Sequence, residues 1–85
     1  MADAGGSVVA TYPTGAGPGG QPIGIAYDGK YMWIANDAAG TVAVLSDASG
    51  ALIGIVPGFY IPSSVAFDGL NIWVGDWGAG TVSKL

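Results

Sequence analysis

The stretch Pro22–Leu45 (PIGIAYDGKYMWIANDAAGTVAVL) recurs as Pro62–Leu85 (PSSVAFDGLNIWVGDWGAGTVSKL) at a constant offset of 40 residues. A second match joins Asp3–Pro13 (DAGGSVVATYP) to Asp47–Pro57 (DASGALIGIVP) at an offset of 44. The two offsets sum to 84, so the 85-residue chain spans two periods and Leu85 takes the slot of Met1 one cycle later. Self-similarity at this period belongs to stacked or radial repeat architectures, whose units cannot bury their apolar faces alone.

Short β-rich runs alternate with Gly, Asp, Asn and Pro turns, and no segment has helical periodicity, so the chain reads as all-β. Four strand types are expected per period. Strand a is Ile23–Tyr27 and Ser64–Phe67; strand b is Tyr31–Ala35 and Asn71–Gly75; strand c is Thr41–Leu45 and Thr81–Leu85. Strand d is Ala51–Val56 and, at the N-terminus, Ser7–Tyr12. Asp28-Gly29 and Asp68-Gly69 predict tight a–b hairpins, because Gly tolerates the positive φ of a primed turn. DASG and DAGG mark the c–d turns. Met32-Trp33-Ile34-Ala35 and Ile72-Trp73-Val74 are apolar on both alternating faces, which requires cover on both sides of the sheet. Four antiparallel strands per period with both faces buried describe a β-propeller blade. A β-solenoid is the runner-up, with shorter periods and parallel strands.

The pattern of Asp-Gly, a Trp four residues after the Gly, a Gly-Thr-Val strand and a Pro-led return to the next Asp-Gly resembles YVTN/NHL-type β-propeller repeats. The resemblance covers nearly the whole chain and implies a propeller fold, with no single activity attached. On this reading residues 1–85 are a two-blade unit, with a full blade at 23–57 and a partial blade at 63–85 that lacks its d strand. Residues 7–12 would supply that strand to a neighbouring subunit, a head-to-tail exchange that closes as a ring. Propellers commonly hold about four to eight blades. A homotrimer of six blades is the expected assembly, with dimer and tetramer as alternatives. The opposing reading makes the chain part of a longer propeller.

Composition supports association. A chain this short usually needs disulfides, a metal or partner subunits. It has no Cys and no His, only 9% charged residues, and 51% hydrophobic ones. Association with copies of itself is the route left open. A net charge of −4, with two basic residues, argues against nucleic acid or anionic membrane as partners. Neither a spanning apolar run nor the basic and hydrophobic regions of a signal peptide is present.

The d–a loops (Thr14–Pro22 and Gly58–Ser63) and b–c loops (Asn36–Gly40 and Asp76–Gly80) are expected on one face of the ring. The repeats diverge there: Asp37 aligns with Trp77, and Phe59-Tyr60 has no aromatic counterpart. Trp77 could stack on the apolar face of a sugar while Asp76 accepts hydroxyl hydrogen bonds, with Tyr60, Asp37 and Asn36 nearby. The plainer reading packs Trp77 over a neighbouring loop. Asn36, Asp37 and Asp76 could hold a hard cation if subunits converged, but solvated loop carboxylates are the favoured reading, so no metal and no cofactor are expected. Trp33 and Trp73 read as core, and Asp28 and Asp68 as turn residues. With no His, Cys, Glu or Arg, the usual nucleophile–base pairs and phosphate clamps cannot be assembled, and no enzymatic activity is expected. The expected role is a scaffold or interaction module; the alternative is a lectin-like carbohydrate binder.

Overall fold

The computed structural model describes residues 10–15, 17 and 19–85. These form seven strands and no helix. The first sheet is a meander of β1 (Pro22–Tyr27), β2 (Tyr31–Asn36), β3 (Thr41–Ser46) and β4 (Leu52–Val56), in the order β1-β2-β3-β4. The second holds β5 (Pro62–Phe67), β6 (Ile72–Asp76) and β7 (Thr81–Lys84), in the order β5-β6-β7. All pairings are antiparallel. The molecule is thus all-β, with antiparallel sheets of four and three strands. The expected a, b and c strands form in both repeats, and Ala51–Val56 forms as β4. Of the expected strand Ser7–Tyr12, residues 7–9 lie outside the described residues, and Ala10–Tyr12 are not part of a sheet.

Repetition extends to the irregularities. β1 and β5 each carry a register shift beside the opening proline, between Pro22 and Gly24 and between Pro62 and Ser64. Proline has no N–H to give a ladder and is confined to strand starts, edges and bulges. The a–b hairpins are longer than a two-residue primed turn. Tyr27 pairs with Met32, and Asp28 N–H donates to the Tyr31 carbonyl at 3.1 Å. The cause is the aspartate side chain. One Asp28 carboxylate oxygen accepts the N–H groups of Lys30 (2.8 Å) and Tyr31 (2.7 Å), which widens the loop, while Gly29 takes φ 99°. Asp68 does the same with Leu70 and Asn71. Such side-chain bonds to the backbone compete with the ladder and favour turns.

The sheets stack face to face. Alternation along β2 sends Trp33 toward the second sheet and Met32 and Ile34 away from it. Val42, Ile72 and Val74 form the core between the sheets, with Ala26, Trp33, Val56 and Val65 packed around them. Burial of each such aliphatic side chain contributes about 1.5–3 kcal/mol. Close approach is enabled at Gly24, where a Cβ would stand 3.1 Å from the Ser63 carbonyl oxygen and the Ser64 Cα. A second cluster, Ile34, Ala43 and Leu45 with Met32 against it, lies on the opposite face of the first sheet. Beyond that cluster the face is open: Ile23, Ile25, Tyr27 and Leu52 are all exposed.

Candidate functional site

At one end of the stacked sheets, β2 and β6 run into four-residue turns that reach Gly40 and Gly80. Gly40 N–H donates to the Asn36 carbonyl at 3.0 Å, and Gly80 N–H to the Asp76 carbonyl at 2.9 Å. The segments leading into β1 and β5 are tied to these turns. Asp37 N–H donates to the Gln21 carbonyl and Trp77 N–H to the Ile61 carbonyl, each at 2.9 Å. The loop segment Phe59–Ile61 lies between both turns, since Phe59 N–H donates to the Gly40 carbonyl at 3.2 Å.

All five residues singled out for this end lie on it, in different roles. Asp76 is 6% exposed. Its carboxylate accepts the backbone N–H groups of Tyr60 (2.8 Å), Ile61 (2.9 Å) and Ala79 (3.2 Å). The bonds from Tyr60 and Ile61 hold this carboxyl below the usual range, so it is ionised at neutral pH. It ties the β4–β5 connection to the end of β6. Asn36 occupies the equivalent position in the first repeat and is fully buried. Its Nδ2 donates to the Thr14 carbonyl (3.1 Å) and to Thr41 Oγ1 (3.3 Å), while Oδ1 has no partner. An amide suits this position because the longer loop presents a carbonyl, which a carboxylate cannot bond. The loop is also strained beside it, since Gln21 has φ 57°. Asp37 is half-buried.

Trp77 and Tyr60 face outward, 77% and 70% exposed. They flank Gly78, where a Cβ would stand 2.9 Å from Tyr60 Cδ2 and 2.7 Å from Ile61 Cγ1. The structure therefore brings together Tyr60, Asp76 and Trp77, and sets Asn36 and Asp37 at the matching end of the first sheet. The result is two exposed aromatic rings beside a loop whose backbone is bonded to a buried carboxylate. Among the described residues no cluster of three acidic side chains could hold a metal ion.

A link absent from the sequence reading is the contact between aspartate and tryptophan. The second carboxylate oxygen of Asp28 accepts Trp33 Nε1–H at 2.9 Å, and that of Asp68 accepts Trp73 Nε1–H at 2.6 Å. Each Asp thus organises the turn with one oxygen and orients the strand-b indole with the other. These bonds hold the Asp28 carboxyl below the usual range, with Tyr31 N–H the largest cause, and that of Asp68 at about 2, with Asn71 N–H the largest cause. The separation of five residues between Asp and Trp, kept in both repeats, is the signal that could have revealed it.

Away from the loop end, a cleft of about 400 Å³ opens on the outer face of the first sheet, lined by Tyr12, Pro22, Ile25, Met32, Ile34 and Leu45 among others. It is apolar and lies on the opposite side of that sheet from the second sheet. No protein-family profile matches the chain, and no curated protein sequence is similar to it.

Proposed function

We propose that this protein is a non-enzymatic β-propeller module of the YVTN/NHL type, in which each sheet is a blade and the ring closes by association with further copies. Three chains, six blades, is the assembly we favour. One observation carries the reading: consecutive repeats stack face to face, yet both outward faces of the pair stay apolar. On the first sheet Ile23, Ile25 and Leu52 are exposed, and on the second Trp73 and Val82. Contiguous apolar surface of this kind marks an association face. A radial array covers every such face with the same contact repeated. The absence of His, Cys, Glu and Arg supports a scaffold over an enzyme. Light scattering tests the assembly. A mass near three times 8.4 kDa is expected, and a monomer at all concentrations would remove the ring.

The paired exposure of Tyr60 and Trp77 favours a second reading, a carbohydrate-binding face. Aromatic faces stack on the apolar faces of sugars, and a loop already bonded in place lowers the ordering cost of binding. Asp76 would act there by holding the loop, because its oxygens already bond backbone N–H groups. A glycan array probed with the wild type and with Trp77→Ala decides this. Absence of any signal, or a signal the substitution leaves unchanged, excludes the lectin.

A further inference from the structure

We infer that the outer face of the second sheet docks into the cleft on the outer face of the first sheet of a second copy, in the same register that joins the two sheets within one chain. This rests on the association proposed above and specifies its seam. At the 40-residue offset, Trp33 and Val42 on the inner face of the first sheet correspond to Trp73 and Val82 on the outer face of the second. Val65, Ile72 and Val74, which receive Trp33 and Val42, correspond to Ile25, Met32 and Ile34, which line the cleft. The apolar centre of each half of the internal interface is therefore present a second time, facing outward on opposite sides of the molecule. Exposure follows the presence of a neighbour and not the residue: Val42 is 0% exposed and Val82 67%. Ile25, the counterpart of half-buried Val65, is 63% exposed.

The loop end repeats the pattern. The Gly40 carbonyl accepts Phe59 N–H, whereas the equivalent Gly80 carbonyl has no such bond among the described residues. Gly19 of the second copy is the equivalent donor. Asn71 stands in the place of Tyr31, and Ser64 in the place of Gly24. A Cβ at Gly24 meets backbone at 3.1 Å, so the seam must open by a few tenths of an ångström there. The charged departure is Lys84, in the place of Val44. Its ammonium lies 5.5 Å from the centre of the Trp73 ring. The occupant is thus a second copy, whose surface repeats the apolar residues of the internal interface. The contact is heterologous, with two different faces meeting.

Val82→Asp and Ile25→Asp each place a charge on one half of the seam, at positions already exposed in the monomer. Each variant alone is expected to be a folded monomer by circular dichroism and light scattering. Mixed, they form a one-to-one pair and nothing larger, because one intact copy of each half remains. Retention of the wild-type assembly by either variant overturns this seam while leaving ring formation standing. Failure of two folded monomeric variants to pair overturns it in favour of a two-fold contact. A wild type that is monomeric at its highest soluble concentration overturns both the seam and the reading it rests on. Should either aspartate variant fail to fold, Met32→Cys/Val82→Cys serves instead, in a chain with no other cysteine. Oxidation is expected to link it into covalent oligomers, and an unlinked product at a concentration where the wild type assembles counts against the register.

Discussion

Asp28 and Asp68 each bond two backbone N–H groups and a tryptophan indole, a density of bonds that a turn residue needs only if it also positions something. Here it positions the largest side chain of strand b. Because these carboxyls and that of Asp76 sit below their ordinary value in the folded protein, protonating them opposes folding. Their contribution is complete above the ordinary aspartate value of 3.8 and is lost as pH falls toward about 2, the folded value of Asp68. The urea midpoint should therefore be level from neutral pH to about 4 and drop steeply below it. Asp68→Asn, which puts an amide donor among N–H groups, should lower the midpoint at neutral pH and flatten that acid drop. An unchanged pH profile in the variant would show that Asp68 contributes nothing to acid stability. The turn role was legible from Asp-Gly. The indole bond was not, because it depends on where the strand carries Trp33 after the chain has reversed.

At the scale of the strand, period-two patterning and turn chemistry are local signals, and they place the boundaries of β1 to β7 to within a residue or two of the sequence reading. Hairpin length was less legible, since Asp-Gly serves a two-residue turn and a wider side-chain-bonded loop alike. Contact between strands of different sheets carries no local signal at all. Gly24 shows this: nothing nearby in sequence says that β5 backbone passes within van der Waals distance of it. Gly24→Ala should cost about 1–3 kcal/mol, since backbone cannot move aside as a side chain can. Gly54→Ala is the control, at a site with nothing within 4 Å and an ordinary φ, and should be neutral or slightly stabilising. Chemical denaturation of both variants tests the pair. Equal losses would mean that strand propensity, and not sheet-to-sheet distance, governs the two sites.

For the whole molecule, the repeat supplies an internal comparison. Val42→Ala leaves a void between the sheets and should destabilise the isolated chain by about 2 kcal/mol. Val82→Ala at the equivalent position should do little in dilute protein, where the side chain is mostly in water, and should weaken assembly at higher concentration. Melting curves across a dilution series separate the two. A Val82→Ala loss as large as that of Val42→Ala in dilute monomer would place Val82 in a core within one chain. The five loop residues were legible as the divergent part of the repeat. Their roles were not, since the bonds that most distinguish Asp76 from a solvated loop carboxylate come from the Tyr60 and Ile61 N–H groups brought to it by the chain's return.

Sequence alone determined the period, the strand class, the turn sites and the doubled apolar faces, all of which are set by residues close together along the chain. Tertiary structure alone decided which of two equivalent faces is covered. Trp33 and Trp73, or Val42 and Val82, have the same local instructions. Burial belongs to the neighbour a surface meets, and two copies of a repeat meet different neighbours.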